Sequence, residues 1–179
     1  IIKAIQTKIA NNLHVAMPAI IEEYNFKQQR ASVKIVVQQL YESDTYIDYP
    51  ILSGVPVIFP NSGGASITMP VNRGDSCLVL FLDRDSRAWL LGGVNVKPKS
   101  KRVHHLSDAV AIMGLSPFSK ASPAKNNTDV LINFSGSSIT LKPQGKVDIV
   151  SAKEVNVKTE NIVINCKTAS VKAEETVAV

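Results

Sequence analysis

The side chains best suited to chemistry in this sequence are few and scattered. His104 and His105 are adjacent, and neighbouring residues of a strand point to opposite faces, so the pair chelates a single metal ion poorly. Asp75, Asp83 and Asp85 are the candidates for a general acid and base in glycoside hydrolysis, a reaction that needs two carboxyl groups flanking one bond. Asp83 and Asp85 flank Arg84 in a turn-like stretch, where aspartate is favoured because it bonds nearby backbone, and Asp75 follows Gly74 as a turn cap. Gly63-Gly64 is followed by neither a Lys-Ser/Thr pair nor a helical pattern, so it is not a phosphate loop. Cys77 and Cys166 lie far apart in different segments and are expected to be buried free thiols, consistent with synthesis in a reducing compartment. No catalytic, cofactor-binding or metal-ligating set is expected, and the chain is not expected to be an enzyme.

The remaining information lies in patterning. At 179 residues the chain is long enough for one domain and an appendage, and 45% apolar with 20% charged residues is ordinary for a soluble globular chain. It contains no apolar run near the roughly 18 residues of a membrane span, and no signal peptide is visible. The sequence does not begin with Met, so a few residues are expected to precede Ile1. Net charge is +5, and six lysines balance six acidic residues from Asp129 onward, so the whole excess lies upstream. Lys97, Lys99, Lys101 and Arg102 form its densest cluster. Without interleaved aromatics and with Pro98 inside it, this cluster is expected to be a solvated loop, or an electrostatic contact with a protein partner, rather than a nucleic-acid site.

From Asp129 onward, apolar residues recur every eight positions, at Leu131, Ile139, Val147, Val155, Val163, Val171 and Val179. Leu141, Ile149, Val157 and Ala173 follow two positions later. Locally the pattern alternates, as in Val155-Asn156-Val157-Lys158 and Ile162-Val163-Ile164-Asn165, which is the period of a strand with one buried face. A long period laid over short strands predicts a stacked array. Phe134 is the single aromatic residue of this segment, which cannot offset a chain entropy of roughly 1–2 kcal/mol per residue by itself. Three chains sharing one core remove the shortfall and leave fewer open strand edges. The alternatives are an antiparallel meander, which needs turn residues, and disorder; the final 34 residues contain neither Gly nor Pro. An intertwined triple-stranded β-helix over 129–179 is therefore expected, with Leu131, Ile139, Leu141, Val147, Ile149, Val155, Val157, Ile162, Ile164 and Val171 in the trimer core.

Upstream, Ile2, Ile5, Ile9 and Leu13 have helical spacing and predict a short amphipathic helix within an N-terminal segment 1–16. Strands are expected at 19–26 and 32–41, the latter with Val33, Ile35 and Val37 alternating, followed by a polar loop over 42–50. A hairpin is expected from 55–60 and 65–70 around Gly63-Gly64. A strand buried on both faces is expected at 76–83, a tight turn at 83–86, a strand at 88–91 ended by Gly92-Gly93, and a last short strand at 110–113. About five sequential strands in 17–118 predict a small closed β-barrel, with the OB-fold as leading candidate. The small, polar stretch 119–128 is expected to be a linker. The fold class expected is thus all-β: barrel, then β-helix, with a short N-terminal helix.

The residues Gly54-Val55-Pro56-Val57-Ile58-Phe59-Pro60, Gly63-Gly64, Ile67 to Pro70, Gly74-Asp75, Leu80-Phe81, Arg84-Asp85, Trp89 and Gly92 resemble a known family. So do His105-Leu106-Ser107-Asp108-Ala109 and Gly114-Leu115-Ser116-Pro117. Over roughly 12–118 the chain resembles the N-terminal OB domain of the central spike proteins of contractile-tailed phages. The resemblance implies a homotrimer in the virion, at the centre of the tail baseplate, seated under the tail tube and hub proteins. It also implies a β-helix that contacts the host outer membrane transiently as a cell-puncturing device. Some such spikes carry a His-x-His iron site in the tip, but this sequence has no histidine after His105. An iron tip would lie on a C-terminal extension, a separate tip protein would cap the spike, or the tip holds no metal. Two other functions remain as expectations to weigh. A nucleic-acid binder would stack bases on exposed barrel aromatics, yet Phe59, Phe81 and Trp89 lie in apolar runs that look like core. A cell-wall hydrolase would need a credible acid pair.

Overall fold

The computed structural model of the chain describes residues 13–40, 45–120 and 126–172, and the predicted helix over 1–13 lies almost wholly outside them. Its contacts divide it into two units, Ile1–Ser122 and Pro123–Val179.

The first unit is a closed barrel. Its strands are β1 (Ala16–Asn25), β2 (Arg30–Ile35), β5 (Leu52–Ile58), β8 (Ser76–Phe81) and β9 (Ala109–Met113). The order around the barrel is β1-β2-β5-β9-β8, with β1 pairing both β2 and β8 and so removing the free edge. Every pairing is antiparallel except β5 with β9, where Val57 meets Ala111 and Ile58 meets Ile112. Two small ribbons decorate the connections: β3 (Gln39–Leu40) with β4 (Tyr46–Ile47), and β6 (Asn61–Ser62) with β7 (Ala65–Ser66).

The core follows from alternation. Ile21, Val33, Ile35, Val55, Val57, Cys77, Val79, Phe81 and Ala111 point inward and are buried. Alanine and valine dominate because the interior of a five-stranded barrel is narrow. Each large side chain among them contributes roughly 1.5–3 kcal/mol by leaving water. Burial pushes the Cys77 thiol up to about 11, so it behaves as a small apolar residue, whereas Cys166 is exposed and not buried as expected.

Several expectations need correction. The strand at 32–41 ends at Ile35, and Val36 and Val37 are half exposed. The run 76–83 buries one face, with Leu78 and Leu80 only partly covered on the outside of the barrel. The hairpin around Gly63-Gly64 is short: β5 leaves it to pair with β2 and β9, and two residues on each side form the ribbon. The stretch expected as a strand at 88–91 is instead the helix α1 (Arg87–Gly92), closed by Gly93 at φ 68° donating to the Trp89 carbonyl at 2.7 Å. A four-residue apolar run has no periodicity that separates a strand from one helical turn, and a glycine pair ends either.

The second unit begins as a three-stranded antiparallel sheet, β10 (Val130–Phe134), β11 (Ser137–Lys142) and β12 (Lys146–Val150). Ser135 at φ 48° and Gly136 at φ 84° make the two-residue turn that joins Phe134 to its partner Ser137. Pro143, Gln144 and Gly145, the last two also at positive φ, make the three-residue connection between Lys142 and Lys146. The sheet thus spans the part of the segment that has turn residues. Residues 151–172, which contain neither Gly nor Pro, form no strand, so the strands expected at 155–158 and 162–165 are not formed within one chain. No β-helix is evident in the single chain, and the intrachain meander accounts for 130–150 instead.

Candidate functional site

The second unit displays an uncovered apolar face. Cα partners across a ladder share a face, and the register pairs Val130 with Leu141, Ile132 with Ile139, Ile139 with Ile149, and Leu141 with Val147. Val130, Ile132, Phe134, Ile139, Leu141, Val147 and Ile149 therefore lie on one side of the sheet, each between 42% and 68% exposed. The other side carries Leu131, Thr140, Lys142, Lys146 and Asp148. There Asp148 accepts from Lys142 and lies 3.3 Å from Lys146, and those bonds hold its carboxyl below the usual range while Lys142 is pushed up.

Of the residues grouped by the eight-residue spacing, Ile139, Leu141, Val147 and Ile149 are brought together. Leu131 is not: it pairs with Thr140 on the polar side. Val130, Ile132 and Phe134 take its place, and their own period-two alternation was the signal for them. Val155, Val157, Ile162, Ile164 and Val171 stand 61–83% exposed. An apolar face this exposed on a three-stranded sheet is the kind of surface that marks an interaction site.

In the barrel unit, the loop expected to be solvated splits in two. Lys97, Lys99 and Lys101 are exposed. Arg102 turns inward between two buried carboxylates, 2.9 Å from Asp85 and donating through Nε to Asp108 at 2.9 Å. Ser100 donates to Asp85 at 2.9 Å, and the Ser86 amide to Asp108 at 3.2 Å. The Ser100 hydroxyl, the Arg87 amide and the Arg102 charge together hold the Asp85 carboxyl below its usual range, against its own desolvation. Two acids bridged by one guanidinium form a clamp that ties the 97–102 loop to α1 and to the 3-10 turn Leu106–Asp108. Asp85 and Asp108 are thus occupied by a structural cation. Asp83 pairs with Arg84, and Asp75 accepts from the Asn72 amide at 2.7 Å as a turn cap. The three sequence candidates do not face one another across a cleft.

The histidines gather near Phe81. His104, at φ 44°, donates through Nδ1 to the Phe81 carbonyl at 2.9 Å and places Nε2 3.3 Å from Asp83. His105 Nδ1 accepts from the Ser107 amide. Among the described residues no group of three or more His, Cys, Asp or Glu side chains is placed to hold a metal ion. His14 packs against the rings of Tyr49 and Phe81, and burial, then the charge of His105, lowers its pKa from 6.5. A histidine with a lowered folded pKa stabilises the fold fully above its unfolded value, and that contribution is lost as pH falls through the folded value. The melting temperature should therefore fall between pH 7.5 and 5.5, a window above the carboxylates. His14→Phe should flatten the fall while keeping the ring packing; an unchanged slope, followed by thermal denaturation, would assign the pH dependence to other groups.

The fold and site define an all-β protein: a closed five-stranded barrel followed by a small sheet with an apolar face left open. The family model described as Phage protein Gp138 N-terminal domain matches residues 17–114, more than half of the chain, and the chain belongs to this family. It is a phage protein, and membership points to a structural component of the virion. No curated protein matches the chain.

Proposed function

We propose that this chain is a homotrimeric central spike subunit of a contractile tail, its barrel seated against the tail-tube and hub proteins and its C-terminal segment forming a shaft that pierces the host envelope. The carrying observation is the apolar face of the β10-β11-β12 sheet, continued by Val155, Val157, Ile162, Ile164 and Val171, all without cover in one chain. A single sheet this exposed is unstable in water, and the same face from three chains closes a core. Among the described residues, 151–172 pair with no strand of their own chain, and they would complete an intertwined triple-stranded β-helix with their counterparts. In this reading the barrel is of the OB type, which its five strands, its closure by β1 and its one parallel pair, β5–β9, support.

In this reading the function is mechanical and non-enzymatic, with no cofactor in these residues and no specific nucleic acid. The shaft transmits contraction force through strands bonded between chains. Phe59 and Phe81 are buried core, whereas Trp89 is 54% exposed and not core as expected, and the exposed rings Phe26, Tyr46, Trp89 and Phe118 come from separate segments; the acids at 75, 83 and 85 are engaged in turns or ion pairs. Light scattering on the purified chain should give three times the mass of one chain, persisting on dilution to micromolar concentration. A folded monomer there would overturn the proposal.

A further inference from the structure

The barrel carries a groove that neither the core nor the apolar sheet explains. It encloses about 590 Å3 between residues 50–56, α1 and the 3-10 turn, with Ile51, Leu90, Leu91 and Leu106 among its walls. Three features converge there. First, β5 pairs with β2 along Leu52, Val55 and Pro56 but meets β9 only at Val57 and Ile58, so among the described residues the first half of β5 has one side without a strand partner. Second, Gly54 lies in this half with open space where a side chain would be, so a second backbone can approach closely. Third, Arg30 and Arg87 line the groove, and among the described residues neither guanidinium is in an ion pair, whereas Arg102 beside them is neutralised by Asp85 and Asp108.

We infer that this groove binds an extended, acidic segment of a partner protein. The open side of β5 offers main-chain carbonyls and, except at Pro56, which has no N–H, amides to an added strand, the most economical use of an unpaired edge. Leu91 and Arg87 lie one turn apart on the same face of α1, so this wall is mixed: apolar side chains of the added strand meet Ile51 and Leu91, and carboxylates reach Arg30 and Arg87. The planar guanidinium suits a carboxylate, and both arginines add to the basic excess of this half of the chain. This inference stands on the barrel alone and does not depend on trimer formation.

The test is fluorescence anisotropy with the full chain and a labelled peptide, acetyl-Val-Glu-Val-Glu-Val-amide. Saturable binding below about 1 mM is expected, weakened at least about fivefold by Arg30→Ser and by Arg87→Ser. The Lys-for-Glu peptide and a backbone N-methylated peptide should bind at least about tenfold more weakly, and these comparisons need no protein variant. No saturation by 1 mM, equal binding of the lysine peptide, or equal binding of the N-methylated peptide overturns the inference. So does undiminished binding by both arginine variants.

Discussion

Replacing Arg102 with Ser should lower the melting temperature of the barrel by more than about 10 °C, whereas replacing Lys97, Lys99 and Lys101 together should change it by about 2 °C or less. The four residues are close in sequence and alike in charge, but only Arg102 lies between carboxylates that are 5% and 1% exposed. Without its guanidinium, Asp85 and Asp108 face each other's charge in a site with little water, and breaking such a set by removing one partner costs far more than the set itself contributes. The sign of the pH dependence follows. The Asp85 carboxyl is held low in the native protein, so its contribution is present above the ordinary carboxylate range and lost as pH falls through the lowered value. In Arg102→Ser that support is gone, and mild acid should recover part of the loss by protonating the stranded Asp85. The triple neutral variant Asp85→Asn, Arg102→Met, Asp108→Asn should be more stable than Arg102→Ser alone. Thermal denaturation of these variants across pH checks all three statements; similar melting for the Arg102 and the lysine variants would show that the clamp is ornamental.

Ile139→Lys should abolish the trimer, while Thr140→Lys should leave it intact. Ile139 sits in the centre of the apolar face, between Ile132 and Ile149, and Thr140 is opposite Leu131 and Asp148 on the other side. In the proposed assembly the first substitution places three ammonium groups in one dry core, at several kcal/mol for each ion without a partner, and their mutual repulsion adds to it. The second adds charge to a side that already holds Lys142 and Lys146, where a surface change costs within about 0.5 kcal/mol. Ile139 is 42% exposed in the single chain and lies outside the barrel, so the barrel of Ile139→Lys should still melt normally. Loss of trimer by light scattering, with an unchanged barrel transition, is the expected pair of results. If both variants stay trimeric, or both fall apart, the face assigned to the core is wrong. The same comparison carried to Val157→Lys and Lys158→Glu tests whether the shaft continues through 151–172.

Much of the barrel was legible because its strands alternate and its turns are marked. Val33 with Ile35, and Cys77 with Val79 and Phe81, show the inward face directly. The short run 88–91 was not, since one helical turn and one short strand carry the same apolar letters, and the helix is fixed by Gly93 in a left-handed cap. Arg102 was illegible for a different reason. In sequence it is one more cation in a lysine-rich loop, and its burial depends on Asp85 and Asp108, which approach it only when α1 and the 3-10 turn are in place.

The C-terminal segment shows most clearly what sequence by itself determined. Its composition points to a core larger than one chain supplies, and its eight-residue rhythm groups Ile139 with Val147 and Leu141 with Ile149, residues that share one face of the sheet. The tertiary structure decided the phase. Across the three-residue connection at 143–145, partners such as Ile139 and Ile149 share parity, so an even spacing stays on one face. Across the two-residue turn at Ser135-Gly136, partners such as Ile132 and Ile139 differ in parity, so the same spacing sends Leu131 to the opposite face. An even repeat cannot keep its side of the sheet through a two-residue hairpin, because side chains alternate at every step and the turn fixes which residue stands opposite which.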